Sequence, residues 1–277
     1  GDGASCWDDL SIQFDNNNNI AGGGYHSLSI SIDSSITPWG RNSFGQTDDQ
    51  GLNNVAVIGA GRDHTLALLF DGSVVAWGYN SNSQSTVPED LDNVVSIATG
   101  DYHNLALLKD GTVTGWGYNA NGQTTAPDGL RSVAIAAGYA HSIALKTDST
   151  VIAWGQNDYG QTNVPNNLGN VVAISAALYY SLALSADGTV TAWGRNNSGQ
   201  INVPDGLEDV VAIAAGEDHA LALSEDGTVT AWGYNGYGQT NIPDSLENVV
   251  AIAAGRRHSL ALTVDGTVIA WGQNDYG

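Results

Sequence analysis

The dipeptide Trp-Gly recurs along the whole chain at a nearly constant interval, and this recurrence limits the possible folds more than any other feature. The intervals are 38 or 39 residues, and the tryptophans are Trp39, Trp77, Trp116, Trp154, Trp193, Trp232 and Trp271. Seven units of this length account for nearly all of the 277 residues. A fixed period of roughly 20 to 50 residues is typical of solenoids, propellers and other repeat arrays.

Within one unit the sequence pattern is that of β-strands, as the unit from Val210 to Asn248 shows most clearly. VVAIAAG is a short run of β-branched and small residues, while HALAL and TVTAW alternate with a period of two. The Asp-Gly between the last two runs predicts a hairpin turn, because glycine readily adopts the positive φ of a tight turn. The later NIP indicates an outer segment, since proline is tolerated at a sheet edge. Three to four short strands per unit therefore form one small sheet.

The repeat predicts how these small sheets are arranged. One such sheet cannot bury both of its faces alone, so successive sheets must pack against one another. Radial packing gives an all-β fold, a seven-bladed β-propeller with about 39 residues per blade, over residues 20–277. A linear β-solenoid is the structural alternative, although solenoids normally use much shorter coils.

Residues 1–19 are predicted to close the ring. The last unit stops at Gly277, before its GQxxVPxxL segment, and the stretch Cys6–Leu10 aligns with Val87–Leu91 of the second unit. We therefore expect the N-terminal segment to complete the seventh blade. The alternative is a disordered leader.

Two variable loops of each unit are predicted to share one face of the disc. Chain direction alternates with each strand of a meander, so the two residues before the motif histidine lie beside the loop that follows Trp-Gly. All 11 tyrosines, Phe44 and five of the arginines fall in or next to these loops, whereas most carboxylates fall in turns and linkers. We therefore expect one face rich in Tyr and Arg, with the opposite face and the rim acidic.

Tyr and Arg are enriched at binding hot spots, because they combine a large rigid contact area with a polar tip. The predicted partner-binding residues are Tyr25, Phe44, Arg62, Tyr102, Tyr139, Tyr159, Tyr179, Arg195, Tyr237, Arg256 and Arg257. The alternative is that tyrosines pack between blades, which we expect for those directly after Trp-Gly, namely Tyr79, Tyr118 and Tyr234. Tyr102, Tyr139, Tyr179, Tyr159 and Tyr237 are expected to be exposed.

The charge of the chain argues against several classes of partner. With 29 acidic and 8 basic residues the net charge is −21. Such a chain repels phosphate backbones and anionic lipids, so no nucleic-acid partner is expected. No apolar run approaches the length of a membrane span, so no membrane insertion is expected. A single cysteine excludes an intrachain disulfide framework and a cysteine-based zinc site.

The six histidines all occupy the same repeat position, and the fifth unit has Tyr180 there instead. Equivalent positions in neighbouring blades are too far apart for shared metal ligation. We expect each imidazole to bond the backbone of its own blade, and the repeat tryptophans to pack between blades. The sequence contains no GxSxG, HExxH or phosphate-binding GxxxxGK[ST] motif. It therefore predicts no enzymatic activity, no metal and no cofactor.

The pattern AAGxxHSLAL…DGTVxAWGxNxxGQTxVP resembles the regulator of chromosome condensation repeat, over about residues 20–277. This resemblance implies a seven-bladed propeller that acts by binding. The eukaryotic regulator exchanges nucleotides and binds chromatin, but its repeats are longer and its exchange activity lies on an inserted wedge. The short repeat here is most similar to bacterial members, which include a secreted propeller that inhibits class A β-lactamases through aromatics of these two loop sets.

The sequence thus predicts a non-enzymatic, extracellular or periplasmic propeller that recognises another protein through its Tyr/Arg face, with inhibition of that protein as one form of the function. One alternative is a carbohydrate-binding, lectin-like propeller, because the stretches Gln156–Gly160 and Gln273–Gly277 are identical and would repeat one pocket. Another alternative is a structural domain of a larger cell-surface protein. The two-residue loops differ from unit to unit, which favours protein recognition over a repeated sugar site.

Overall fold

The computed structural model describes residues 19–48 and 50–276, and these residues form 21 β-strands without an α-helix. The strands build seven antiparallel sheets of three, each strand bonded to its neighbour in sequence order. This confirms the predicted all-β architecture of seven blades. Apart from Asn19, the segment predicted to close the ring lies outside the described residues, so ring closure by residues 1–19 stays a prediction.

Each blade contributes one strand to each of three concentric positions. The inner strands are β1 (Ile20–Gly22), β4 (Val55–Ala60), β7 (Val94–Thr99), β10 (Ser132–Ala137), β13 (Val171–Ala177), β16 (Val210–Ala215) and β19 (Val249–Ala254). The middle strands are β2 (His26–Ile30), β5 (His64–Leu69), β8 (His103–Leu108), β11 (His141–Lys146), β14 (Tyr180–Ser185), β17 (His219–Ser224) and β20 (His258–Thr263). The outer strands are β3 (Ile36–Gly40), β6 (Val74–Gly78), β9 (Val113–Gly117), β12 (Val151–Gly155), β15 (Val190–Gly194), β18 (Val229–Gly233) and β21 (Val268–Gly272).

The hairpins between middle and outer strands use the predicted turn chemistry. In the third blade Asp110 Oδ1 accepts hydrogen bonds from Thr112 N at 2.9 Å and Thr112 Oγ1 at 2.6 Å. Gly111 between them has φ 82°, the left-handed conformation that glycine adopts without a steric penalty. Ser34 and Ser149 take the same place in two other blades, each with φ 62°.

Hydrophobic packing joins the blades to one another. In one cluster Trp116 of the third blade packs with Leu66 and Leu68 of the second blade, and with Val94 and Ala106 of its own blade. The middle strands are the most deeply buried, because their side chains contact a neighbouring blade on each side of the sheet. The prediction that the repeat tryptophans pack between blades is confirmed.

A layer of polar contacts also crosses each gap between blades. His103 Nε2 lies 3.0 Å from Ser142 Oγ of the next blade, and Ser142 Oγ donates to the Gln123 backbone oxygen at 2.8 Å. Since the hydroxyl proton is used on Gln123, the imidazole must donate from Nε2. The same type of pair occurs at 2.8 to 3.0 Å in five more places, namely His26–Thr65, His64–Asn104, His141–Ser181, His219–Ser259 and His258–Ser27.

The expectation that each imidazole bonds the backbone of its own blade is therefore wrong. The side chain at the start of a middle strand points across the gap, so its Nε2 meets a residue about 40 positions away rather than its own sheet. Burial lowers the pKa of these imidazoles far below the ordinary value of 6.5, to about 3 for His103 and about 4 for His141. The histidines are neutral at physiological pH.

One junction between blades departs from this pattern. Tyr180 stands at the histidine position of the fifth blade, is fully buried, and donates its hydroxyl hydrogen to the backbone oxygen of His219 in the sixth blade. Ala220 occupies the position that carries Ser, Thr or Asn in every other blade. The phenol of Tyr180 is larger than an imidazole and reaches the backbone of the next middle strand directly. The sixth blade therefore needs no side-chain hydroxyl as a hydrogen-bond partner at this junction.

Candidate functional site

The two variable loop sets meet on one face of the propeller, which we call the loop face. The inner loops join inner and middle strands, and the outer loops follow the glycine that ends each outer strand. The outer loop of one blade contacts the inner loop of the next: Arg41 Nη1 lies 3.3 Å from Asp63 Oδ1, and Arg257 Nη1 donates to Tyr237 OH at 2.8 Å. At these junctions the loop face is therefore built by two neighbouring blades.

The outer loops are held by hydrogen bonds from residues common to the repeat. In the third blade Asn119 Oδ1 accepts from Thr124 N at 2.9 Å, and the buried Gln123 accepts from Asn121 N at 3.0 Å through its Oε1. Gly122 supplies the positive φ, 78°, that this turn requires. The framework residues fix the backbone, so the variable positions between them are presented on a rigid support.

Aromatic rings run around the face in a continuous line that we call the aromatic arc. Consecutive ring centroids are 4.9, 6.4, 6.0, 5.4 and 4.9 Å apart, in the order Phe44, Tyr79, Tyr102, Tyr139, Tyr179 and Tyr159. All five pairs are edge-on or tilted, and such arrangements are favoured by the aromatic quadrupoles over a face-to-face stack. The arc crosses five of the seven blades.

The arginines of the loop face are paired with carboxylates on the same face. Arg256 binds Glu217 through two nitrogens at 2.8 and 3.0 Å, and Arg257 Nε lies 3.3 Å from the same side chain. Arg195 Nη1 lies 3.7 Å from Asp218 Oδ1. The expectation that acidic residues gather on the other face and the rim is thus wrong in part, because Asp63, Asp101, Glu217 and Asp218 lie on the loop face among the arginines.

The arginines also contact the aromatic rings. The guanidinium carbon of Arg62 lies 5.5 Å from the Tyr102 ring centroid, and that of Arg195 lies 5.6 Å from the Tyr179 centroid. Arg257 lies closer to Tyr237, at 4.7 Å. Such cation–π contacts hold the planar groups in place. The orientation of these arginines is therefore set by contacts within the loop face itself.

The centre of the face opens into a cavity of about 140 Å³ whose rim carries Arg62, Asp101, Glu217 and Arg256. Desolvation raises the pKa of Asp101 to about 6, although the nearby Arg62 and Arg256 act in the opposite direction. Burial also raises the pKa of Asp218. Asp101 therefore changes its charge near neutral pH, at the middle of the loop face.

The predicted binding residues all lie on the loop face, but they differ in exposure. Phe44, Tyr159 and Tyr237 are exposed at 44%, 48% and 38%. Tyr25, Tyr102, Tyr139, Tyr179, Arg62, Arg195, Arg256 and Arg257 are half-buried by their neighbours. Tyr102, Tyr139 and Tyr179 are thus less exposed to solvent than the sequence predicted, because each ring packs against a neighbouring ring of the aromatic arc.

The residues directly after Trp-Gly do not behave alike. Tyr234 is exposed at 42%, so the expectation that it packs between blades is wrong. Its ring lies over Gly236, where any side chain would collide with the phenol, and stands 6.0 Å from the ring of Tyr237. Tyr79 and Tyr118 are half-buried.

Three residues that pack on the predicted aromatic side chains were not part of the predicted set. Tyr79 links Phe44 to Tyr102, Tyr276 stands 5.9 Å from Tyr25, and Arg41 lies over the rings of both Tyr25 and Phe44. The signal that would have identified them is the pairing of each outer loop with the next inner loop. That pairing joins positions about 20 residues apart, which periodicity within one unit does not reveal.

Across residues 19–48 and 50–276, no three His, Cys, Asp or Glu side chains are grouped closely enough to hold a metal ion. The histidines are buried and neutral between the blades, and the serine hydroxyls that His103 and His141 meet donate to the backbone oxygens of Gln123 and Gln161. No helix of the described residues is long and apolar enough to cross a membrane.

Comparison with known proteins adds the family context. The sequence matches the family described as Regulator of chromosome condensation (RCC1) repeat over residues 55–84, 94–123, 133–161, 171–200, 210–239 and 249–277. No curated protein matches the chain.

Solved structures resemble the whole propeller. Prp20p from Saccharomyces cerevisiae is 21% identical with a TM-score of 0.75, and the match covers 92% of this chain and 82% of that one. The CRINKLY WD40 ectodomain of the Arabidopsis thaliana receptor kinase ACR4 is 20% identical with a TM-score of 0.77, covering 92% and 97%. Human WBSCR16 is 22% identical with a TM-score of 0.73, covering 88% and 86%. At these identities the likeness describes the fold alone.

Proposed function

Because this chain belongs to the regulator of chromosome condensation repeat family, we propose that it is a non-enzymatic propeller that binds another protein through its loop face. The observation that carries the proposal is the aromatic arc, a line of six rings at 4.9 to 6.4 Å spacing across five blades. Rigid aromatic side chains lose little conformational entropy on binding, and they dominate protein interfaces.

The arrangement of charge supports a protein partner. The arginines and carboxylates of the face are already paired at 2.8 to 3.8 Å, so the face offers oriented charges of both signs rather than a basic surface. Interfaces between proteins use such mixed charges to fix register and exclude wrong partners. A nucleic acid would require unpaired cations, and the chain carries a net charge of −21.

The differences between blades support the same conclusion. The inner loops read Arg62-Asp63, Asp101-Tyr102, Glu217-Asp218 and Arg256-Arg257 in four of the blades, so the face has no repeated pocket of the kind a lectin uses. Protein partners are also described for a structural neighbour, since Prp20p is reported with binding properties to Gsp1p and histones. We place the protein outside the cell or in the periplasm as part of this proposal, on its resemblance to secreted short-repeat members. An inhibitory role, as in that β-lactamase inhibitor, is one form the binding could take.

The test is a pull-down from extract and culture medium of the source organism, read by mass spectrometry and sugar analysis. The bait variant is Tyr102→Ala, Tyr139→Ala and Tyr179→Ala combined, which removes the centre of the arc. The matched control is Val133→Ala, Val172→Ala and Val211→Ala, because these exposed valines begin inner strands at the end away from the loop face.

We expect a protein retained by the wild-type bait and the valine variant, and lost by the tyrosine variant at unchanged secondary structure. Class A β-lactamases would be tested directly as purified partners in the same format. Retention of polysaccharide alone would favour the lectin alternative. Equal retention of a protein by all three baits would show that the arc is not the binding site.

A further inference from the structure

The cavity of about 140 Å³ at the centre of the loop face, which we call the central cavity, is lined mainly by alanines and glycines of the inner strands and inner loops. Its charged rim residues are Arg62, Asp101, Glu217 and Arg256. These four belong to blades two, three, six and seven, so the ring gathers charged groups from distant parts of the sequence around one space.

Close packing of the inner loops makes the central cavity narrow. A Cβ atom at Gly100 would lie 2.4 Å from the backbone oxygen of Gly138, and one at Gly138 would lie 2.4 Å from that of Ala177. Only glycine lets neighbouring blades approach so closely at these positions. Small side chains such as Ala137 and Ala215 complete the walls. The central cavity therefore suits the end of one side chain rather than a folded segment of a partner.

The backbone of Asp101 is held by both neighbouring blades. Its N–H donates to the Gly138 oxygen of the fourth blade at 3.3 Å, and its carbonyl oxygen accepts from Arg62 N of the second blade at 3.4 Å. Bonds of the same kind join other inner loops, for example Gly24 N to Gly61 O at 2.9 Å. The carboxylate of Asp101 is therefore presented from a part of the loop face whose backbone is fixed.

Asp101 differs from the other carboxylates of the inner loops. Asp63, Glu217 and Asp218 each form an ion pair at 2.8 to 3.7 Å. Among the described residues, the Asp101 carboxylate has neither an ion pair nor a hydrogen bond, although it is half-buried and loss of hydration raises its pKa to about 6. A partly buried carboxylate without a donor is unfavourable. A cation that reaches it gains a charge-assisted hydrogen bond.

The arginines beside the central cavity are already engaged. Arg256 donates to both oxygens of Glu217 at 2.8 and 3.0 Å, while Arg62 lies 3.8 Å from Asp63 and over the ring of Tyr102. Their charges are thus balanced within the loop face, which reduces their repulsion of an incoming cation. The net charge of −21 attracts cations to the chain as a whole.

We propose that the protein partner inserts a basic side chain, lysine or arginine, into the central cavity, where its charged group binds the Asp101 carboxylate. This inference rests on the proposed function, because Asp101 directly precedes Tyr102 in the middle of the aromatic arc. A partner that packs against Tyr102 and Tyr139 would hold its basic side chain beside the cavity. The arc then supplies contact area, and Asp101 selects a basic residue at one position of the partner.

Binding of a basic side chain can be measured without the partner. The probes are Nα-acetyl-lysine methylamide, its arginine analogue and, as a neutral control of similar length, its norleucine analogue. NMR titration of the isotope-labelled whole chain would follow the backbone amides of Gly100, Asp101 and Gly138. We expect saturable shifts with at least one basic probe, and at least about 10-fold weaker binding of the norleucine probe. The stronger basic probe identifies the preferred residue.

Asp101→Asn keeps the shape of the side chain and removes its charge, so it should weaken binding of the basic probe by at least about 10-fold. The matched control is Asp218→Asn, on the same face. It removes the same charge from a carboxylate that Arg195 and Gln200 already contact, at 3.7 and 2.8 Å. This control should leave the affinity for the probe nearly unchanged.

Should Asp101→Asn fail to fold, the pH profile of the wild-type chain is a second measurement. The affinity for the basic probe should fall as the pH drops below about 6, because protonation of Asp101 removes the charge that binds it. The charged and titratable groups that face Asp101 are Arg62, Asp63, Tyr102, Tyr179, Glu217 and Arg256. An affinity that is constant from pH 7.5 to 5 would overturn the inference.

Three other results would also overturn it: no saturable shift with either basic probe, equal binding of the norleucine probe, or an equal loss with Asp218→Asn. The pull-down separates this inference from the proposed function. With Asp101→Asn as a further bait, the partner that the tyrosine variant loses should also be lost or weakened. Full retention by this bait would overturn the basic contact and leave the proposed function standing.

Discussion

The polar layer between the blades and the loop face lie next to each other in the chain, yet they follow opposite rules. His103 is fully buried and belongs to a set of nearly identical residues, whereas Asp101 and Tyr102 just before it differ from their counterparts in the other blades. The histidine must match a fixed partner across the gap, at 3.0 Å from Ser142. The loop residues meet solvent and the neighbouring loop, so their identity can vary without disturbing the ring.

The fifth and sixth blades show how far the buried layer can change. Tyr180 replaces the histidine and Ala220 replaces the hydroxyl, and the two replacements occur together at one junction. A change in one partner is therefore tolerated when the other partner changes with it. The loop face has no such rule, because its residues are joined by contacts that involve several neighbours at once.

The largest effect expected from the buried layer is a loss of stability in acid. The folded-state pKa values of the six histidines lie at about 3 or 4, below the unfolded value of 6.5. The contribution of these neutral imidazoles to the free energy of unfolding is complete above pH 6.5. It is lost as the pH falls toward 4, because the unfolded chain then binds protons that the folded chain does not, at about 1.4 kcal/mol per pH unit for each histidine. Urea unfolding at pH 7.5, 6.5 and 5.5 should show a steep fall in the free energy of unfolding.

Two effects act in the opposite direction and make this prediction testable. Acid relieves the repulsion of a net charge of −21, and the raised pKa of Asp101, about 6, favours the folded state as the pH falls below 6. A free energy of unfolding that is constant or rises between pH 7.5 and 5.5 would mean that these effects outweigh the histidine layer.

A tryptophan of the buried layer should matter far more than an exposed side chain. Trp154→Ala removes a ring that is 9% exposed and a hydrogen bond of 2.9 Å to the Gln123 backbone oxygen. We expect a loss of about 3–5 kcal/mol of stability, measured by urea unfolding. Val172→Ala, at an exposed position, is the control and should change stability by less than about 0.5 kcal/mol. Similar losses for both would contradict the packing described here.

The unusual junction can be converted to the common one to test the coupling. Tyr180→His alone places an imidazole opposite Ala220 without an acceptor, which should cost about 1–3 kcal/mol. Adding Ala220→Ser supplies the acceptor, so the double variant should recover at least half of that loss, a coupling within the usual range of about 0.5–3 kcal/mol. Additive effects in the double-mutant cycle would show that the two positions are independent.

The smallest expected effect concerns the hairpin turns. Ser149 has φ 62°, a conformation that most turns of this chain give to glycine. Ser149→Gly should raise the free energy of unfolding by less than about 1 kcal/mol, because relief of backbone strain exceeds the added entropy of the unfolded chain. The reverse change, Gly111→Ser, should lower stability by a similar amount. Thermal unfolding of the two variants should therefore shift in opposite directions.

The sequence by itself determined the number of blades, a sheet of three to four short strands in each blade, and the hairpin turns between strands. All of these depend on local rules: the period of about 39 residues, alternation along a strand, and the conformational preference of Asp-Gly. The tyrosines and arginines of the loop face could be placed on one side for the same reason, since chain direction alternates with each strand.

Only the tertiary structure decided which residues meet. The partner of His64 is Asn104, 40 positions along the chain, and the partner of Arg195 is Asp218 in the next blade. Contacts of this kind depend on the angle and distance between two separately formed sheets, which no pattern within one unit specifies. The aromatic arc and the paired charges of the loop face both arise from that packing.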